Sequence, residues 1–266
     1  MKHTTQTATV KEMRALANTA KKHSEDAANS WQQVHSLTAA AHSTANRRTH
    51  PAADPFLNHT MKTKLDTEIA LIQHEDIRLL VRTVLDAAPA CFWSMPAATT
   101  GKCHPAISLG EGGLVRHTRA VVRIACHLLD MQGIYPEERQ YSIALAACIL
   151  HDCCKKWDTE KYTAFAHPRR AAELIATQAN ILWPADMADL PPATAGELLE
   201  HPERAYASTA SAVRCIIAAV ESHMGRWNFT PRTGEELPRP LTPMQRLVHT
   251  ADFLASRKDI TLADIA

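Results

Sequence analysis

The stretch Ala147-Cys148-Ile149-Leu150-His151-Asp152-Cys153-Cys154-Lys155 runs an apolar segment into an adjacent His-Asp pair, with a lysine three residues beyond the aspartate. Ala144, Cys148 and His151 recur at threes and fours on one helical stripe, and Leu145, Cys148 and Asp152 lie on the neighbouring one. A His beside an Asp offers an imidazole nitrogen and a carboxylate able to bridge two cations, a pairing that suits divalent metals. The dipeptide is common by chance. Its meaning depends on whether the rest of the chain supplies further ligands.

The chain has 266 residues, enough for one large domain or a domain with an extension. The formal net charge of +1 gives no global attraction toward nucleic acid or a membrane surface. Few glycines and aromatics, with many alanines and leucines, favour an all-α fold. No apolar run is long enough to span a bilayer, and the N-terminus lacks the basic-then-apolar pattern of a signal peptide. No membrane partner is expected, and a cytoplasmic location is. The seven cysteines are scattered without a C-x-x-C pair, which reads as reduced, mostly buried thiols rather than a zinc knuckle or disulfide framework.

Residues 1–60 differ from the remainder. Ala, Thr, Ser, Lys and His dominate, and no Gly or Pro occurs between Val10 and His50. Met13, Leu16, Ala20, Ala27, Trp31, Val34 and Leu37 form a thin apolar stripe. Two readings stay open: a long helix docked on the body or on a partner, through which the protein oligomerises, or a partly disordered extension. Pro51 and Pro55 read as a linker, so residues 61–266 are expected to form the main domain.

Within that domain a helix is expected over Thr63–Ala88, with Leu65, Ile69, Ile72, Leu79, Leu80 and Val84 facing the core and Pro89 beyond its end. An irregular run from Phe92 to Pro105 leads into Gly110-Glu111-Gly112-Gly113-Leu114-Val115-Arg116-His117-Thr118. From Leu114 the pattern is helical, and His117 shares an inward face with Val121, Ile124 and Leu128. Pro136 opens the helix that runs through His151. His167-Pro168 opens another, with proline in a favoured first-turn position. A surface loop runs from Trp183 to about His201. A helix from about Ala207 carries Val213, Ile216, Val220 and His223 on one face. A proline-rich loop from Phe229 to Pro243 precedes a last helix with Met244, Val248, Ala251, Asp252 and Ala255 turned inward.

Taken singly, a histidine on an apolar face is more often a satisfied core residue than a ligand. Taken together, His117, His151, Asp152, His167, His223 and Asp252 each lie on or beside an apolar stripe, and burying ionisable groups costs several kcal/mol unless they are paired or metal-bound. Separate hydrogen-bonded core pairs are the alternative. A shared cation explains the convergence better, and mixed imidazole and carboxylate suit Mn, Fe, Zn, Co or Ni.

The ordered pattern of His117, His151-Asp152 and distant Asp252 resembles the HD-domain metal-dependent phosphohydrolase superfamily over roughly Phe92–Arg257. Gly112-Gly113-Leu114-Val115-Arg116-His117-Thr118 looks like the start of that superfamily's first ligand helix. His151-Asp152-Cys153-Cys154-Lys155 looks like its His-Asp-x-x-Lys, and Ala251–Arg257 like the segment around its last Asp ligand. The stretch is similar to the HD portion of 3′-to-5′ exoribonuclease-like members. Those usually carry an N-terminal OB-type barrel, for which residues 1–60 are too polar and strand-poor.

The resemblance implies an HD-domain helical bundle. It implies His117, His151, Asp152 and Asp252 as ligands of one divalent ion, with His167 and His223 as ligands of a second, bridged by Asp152. The metal would be Mn, Fe, Co, Ni, Zn or Mg. The implied reaction is attack of metal-bound hydroxide on phosphorus, with Asp152 and Lys155 as catalytic residues, Lys155 neutralising a phosphate oxygen. Arg116 and Lys156 are weaker phosphate contacts. Lys102 and His104, in the loop before the first ligand helix, are placed to reach substrate. Trp227 is either a base-stacking or a core residue, and His249 lies on a neighbouring face outside the ligand set. The expected substrate is a phosphate ester of a nucleotide or short oligonucleotide, with long nucleic acid not favoured. Two alternatives from other classes stay open: a metal-stabilised regulatory or binding module, and a di-iron oxygenase of the inositol-oxygenase-like branch.

Overall fold

In the computed structural model, residues 63–99, 104–131, 138–188 and 206–260 are described. The 1–60 extension, Lys102 and Pro136 lie outside them. The described chain is all-α apart from one two-residue hairpin. Its helices are α1 (Asp66–Ala70), α2 (Glu75–Ala87), α3 (Gly113–Met131), α4 (Glu138–Leu150), α5 (His167–Leu182), α6 (Pro184–Met187), α7 (Thr209–Glu221) and α8 (Pro243–Ala255).

The stretch Ser142–Leu150 explains the architecture. Only Ser142 in it is polar, so the helix has no face to offer water and must be covered all round. Every residue of Ser142–Leu150 is 0% exposed, and α2, α3, α7 and α8 pack around α4. Each fully buried Leu or Ile here contributes about 1.5–3 kcal/mol. Because the central helix ends at Leu150, the next two residues, His151 and Asp152, are delivered into the interior. The outer helices have one buried stripe each: Ile77, Leu80, Val81 and Val84 on α2, and Leu114, Val121 and Ile124 on α3.

Helix ends follow local rules where the sequence provides them. Thr242 and Gln245 form a reciprocal capping box at the start of α8, with Pro243 in its first turn. The Ser208 side chain accepts the Ser211 N–H at the start of α7. Asp76 on α2 accepts from Arg139 of α4 at 2.5 Å and from Thr209 of α7 at 2.8 Å, joining three helices.

The single helix expected over 63–88 is broken. A 3₁₀ turn at Thr63–Leu65 leads into α1, which ends before α2 begins at Glu75. The break is supported by partners far off in sequence or on the next turn. The Ser142 hydroxyl accepts the N–H groups of Gln73 and His74 at 3.2 and 3.4 Å, and Arg78 donates through Nε to the Ile72 carbonyl at 2.8 Å. Ile69, Ile72, Ile77 and Leu80 are buried on both sides of the break, so the apolar spacing reads as continuous. Smaller departures occur elsewhere. The loop after Trp183 starts with α6, and the proline-rich loop contains the antiparallel pair Phe229–Thr230 (β1) and Glu235–Glu236 (β2). His151 and His223 stand just past the ends of α4 and α7 rather than on them.

Among the described residues no disulfide forms, and Cys148, Cys153, Cys154 and Cys215 are buried. Among the described residues no helix is long and apolar enough to cross a membrane.

Candidate metal centre

Four local devices place the ligand candidates. Gly113 starts α3 where a Cβ would lie 2.2 Å from the Ser108 carbonyl oxygen, so only glycine admits the close approach. That approach fixes the 94–113 segment, where Ala97 N–H donates to Ser108 and Leu114 N–H to Met95. It sets the first turn of α3, from which His117 points inward, fully buried. At the end of α4, Cys153 N–H donates to Leu150 and Lys155 N–H to Asp152, turning the chain through His151-Asp152. Ala164 N–H bonds the Lys155 carbonyl at 3.1 Å, and this closed loop delivers His167 at the start of α5. His223 lies in the turn after α7, and Asp252 in the last turns of α8.

The six side chains fall into two groups of three, His117–His151–Asp252 and Asp152–His167–His223, each with ligand atoms within 4.8 Å of one another. In the first, Asp252 Oδ1 is 3.0 Å from His117 Nε2 and 3.7 Å from His151 Nε2. In the second, Asp152 Oδ1 is 3.0 Å from His167 Nε2 and 3.7 Å from His223 Nε2, and the two imidazoles are 3.2 Å apart. The other oxygen of Asp152 faces the first group, 3.3 Å from His151 Nε2 and 3.9 Å from His117 Nε2.

Three of the four imidazoles are fixed in the same way. His151 Nδ1 donates to the Cys148 carbonyl at 2.8 Å, His167 Nδ1 to Ala164 at 2.8 Å and His223 Nδ1 to Val220 at 2.6 Å. In each case the acceptor lies three residues earlier, and the bond leaves the Nε2 lone pair directed at the cluster. This is the tautomer and orientation a metal-ligating histidine requires. His151 Nε2 and Asp152 Oδ1 are buried without a hydrogen-bond partner despite their near neighbours. Buried polar atoms that face the cluster without a hydrogen-bond partner suit a shared cation. With ligand bonds of about 2.0–2.2 Å, neighbouring donors on one ion stand about 3.0–3.5 Å apart, close to the separations here. The residues therefore fit a divalent metal, and the buried His/Asp cluster can hold one.

The electrostatics agree. Burial works to raise the Asp152 carboxyl, but the Lys155 ammonium and the His151 imidazole outweigh it and hold it well below the usual carboxylate range. Burial also works to raise Asp252, and the His117 hydrogen bond and the His151 charge bring it down. Burial would lower His151, yet the Asp152 charge beside it raises it above the ordinary imidazole value. His117 is lowered by burial, and His223 is pushed down to about 3 by burial and by His151 and His167. The cluster thus carries two ionised carboxylates, with His117 and His223 held toward the neutral form, a state that favours binding a cation.

The remaining expected residues have diverse placements. Lys155 lies over the cluster, its Nζ 2.5 Å from Asp152 Oδ2. His104 is nearly buried and packs edge-on against His117 at 4.8 Å between ring centroids, its Nδ1 without a partner. Burial and the neighbouring His117 push it down to about 3. Arg116 spends its guanidinium on the carbonyls of Ile107 and Leu109, bracing the loop before α3. Lys156 donates to the Glu160 carbonyl within its own loop. Trp227 is 45% exposed, not a core residue. His249 supports the cluster from outside: its Nδ1 donates to the His223 carbonyl at 2.7 Å, and its ring fills the space against Gly225. Spacing along α8 separates His249 from the ligands but carries no sign of this bond, which crosses from one helix to the turn after another.

No family model matches this chain, and no curated protein or solved structure matches it either.

Proposed function

We propose that the protein is a metal-dependent phosphohydrolase holding two divalent ions, as the HD-type motif spacing implies, and that it hydrolyses phosphate esters of nucleotides or short oligonucleotides. The observation that carries this reading is the division of Asp152. One carboxylate oxygen faces His117 and His151, the other faces His167 and His223, so one side chain can bridge two ions. Two such ions, when bound, would supply charge neutralisation for attacking and leaving oxygens and would acidify a bound water.

The chain's own residues do the rest. His151, His167 and His223 are held by main-chain carbonyls and need no reorganisation on loading. Asp252 is 21% exposed, against 1% for Asp152, so the cluster opens beside Asp252. Substrate approaches from that side. Lys155, 12% exposed and paired with Asp152, would neutralise a phosphate oxygen of the ester.

Metal analysis of the purified protein, followed by a panel of mono-, di- and triphosphate nucleotides and short oligonucleotides with Mn, Co, Ni and Mg, tests the reading. Phosphate or nucleoside monophosphate release that disappears in Asp152→Ala is expected. Bound metal with no release from any substrate moves the assignment to a regulatory module, and an oxygen-sensitive iron signature moves it to the oxygenase branch.

A further inference from the structure

Next to His223 and Asp252 in the chain, and joined to the cluster by the bond from His249 Nδ1 to the His223 carbonyl, lies a group of aromatic rings and cations that the ligand set does not use. Gly225, at φ 55°, turns the chain after His223 where a Cβ would meet the His249 ring. The turn sets Arg226 and Trp227 on the surface. The Arg226 guanidinium lies 4.4 Å from the Trp227 ring centre and 5.7 Å from that of Phe253. Trp227 and Phe253 are 5.6 Å apart, and His249 completes the stack at 6.3 and 6.4 Å. Both candidate groups of ligands adjoin it. Arg226 follows His223 by three residues, Phe253 follows Asp252 directly, and His249, one helical turn before Asp252 on the neighbouring face, donates to the His223 carbonyl.

The stack has an unusual remainder. Phe253 and His249 lie beside Trp227 and the guanidinium lies over it, so the rings are largely satisfied by one another. Arg226 is exposed, and among the described residues its guanidinium has no hydrogen bond or ion pair. Nearby Arg257 lies 5.8 Å from the Phe253 ring but is paired with Asp259 at 3.0 Å. A guanidinium packed against two rings has little further freedom to lose, and its fork of N–H groups carries no other partner among the described residues. That geometry matches two oxygens of a phosphate group.

We propose that Arg226, held over Trp227 and Phe253, is a subsite for a second phosphate of the substrate, beyond the one at the metal centre. The proposal rests on the phosphohydrolase reading for its first phosphate. It narrows the substrate class to nucleoside di- or triphosphates and oligonucleotides, at the expense of monophosphates. A base stacked on the outer face of the guanidinium is the competing occupant.

Calorimetric titration of the metal-loaded full chain with inorganic triphosphate, orthophosphate and adenosine, all in excess Mg²⁺, separates these. Triphosphate is expected to bind about tenfold or more tighter than orthophosphate, and Arg226→Ala to remove most of that margin while leaving orthophosphate affinity and bound metal unchanged. Arg226→Lys keeps the charge without the fork and should recover only part of it. Equal losses for both phosphates, or an unchanged triphosphate affinity, overturn the subsite. Adenosine binding that depends on Arg226 overturns it in favour of the base. Tight, Arg226-dependent triphosphate binding with no hydrolysis of any ester sinks the phosphohydrolase reading and leaves the subsite standing. Hydrolysis with Arg226-independent affinity does the reverse.

Discussion

The two groups of candidate ligands differ in how closed they are. Asp152, His167 and His223 are all buried, and both imidazoles are fixed by carbonyls. In the group of His117, His151 and Asp252, the aspartate is partly exposed and His117 has no partner on Nδ1. Closed coordination belongs to ions that hold structure, and open coordination to ions that meet substrate. Under the proposed phosphohydrolase reading, the difference would give the two groups unlike tasks: the buried one would order the Asp152 carboxylate, and the one beside Asp252 would face the substrate.

The most severe way to break that comparison is to remove the residue both groups share. Asp152→Ala should lose both ions and at least about 10³-fold in kcat/KM, because two positions fail together. Metal content by mass spectrometry and turnover check this, and an active variant with full metal content would refute the bridge. Removing one ligand from each group comes next. Asp252→Ala and His167→Ala should each bring the metal content down toward one ion per chain. Asp252→Ala should cost activity chiefly through kcat, while His167→Ala should also lower the melting temperature. Identical behaviour of the two variants would dissolve the distinction.

Gly113→Ala sharpens the comparison from the packing side. Its Cβ would strike the Ser108 carbonyl, so a destabilisation of about 1–3 kcal/mol by chemical denaturation is expected. Weaker metal binding should be confined to the group containing His117.

The smallest effect is in pH. His151 is raised, so below its folded-state pKa it carries a proton that an incoming cation must displace, and affinity in its group falls by up to about tenfold per unit as pH decreases. His223, pushed to about 3, carries no such proton near neutrality and adds no slope. Calorimetry between pH 8 and 6 should show the more open ion weakening first. Simultaneous loss of both ions would contradict the assignment.

Much of this was legible in the sequence, for identifiable reasons. The all-α class follows from composition and from apolar spacing. The six His and Asp residues lie on or beside apolar stripes, and the structure brings all six together. What spacing could not carry is the division between the groups, which depends on the orientation of one carboxylate. It also could not carry the break at Leu71–His74, where the His74 and Gln73 N–H groups are satisfied from Ser142 of α4, sixty-eight and sixty-nine residues away. Nor could it place Arg116, which looks like a free cation beside His117 until Ile107 and Leu109 fold back onto it.

The carbonyls that orient His151, His167 and His223 also bear on inheritance. An imidazole oriented by a carboxylate depends on a second codon, and a single base change can take that support away. Here the acceptors are the main-chain oxygens of Cys148, Ala164 and Val220, and every amino acid brings the same oxygen. Substitution at those three positions can disturb packing but cannot delete the acceptor. Drift in the side chains around the cluster therefore leaves these three nitrogens aimed as they are, so long as the helix ends and the short loop before α5 keep their backbone course.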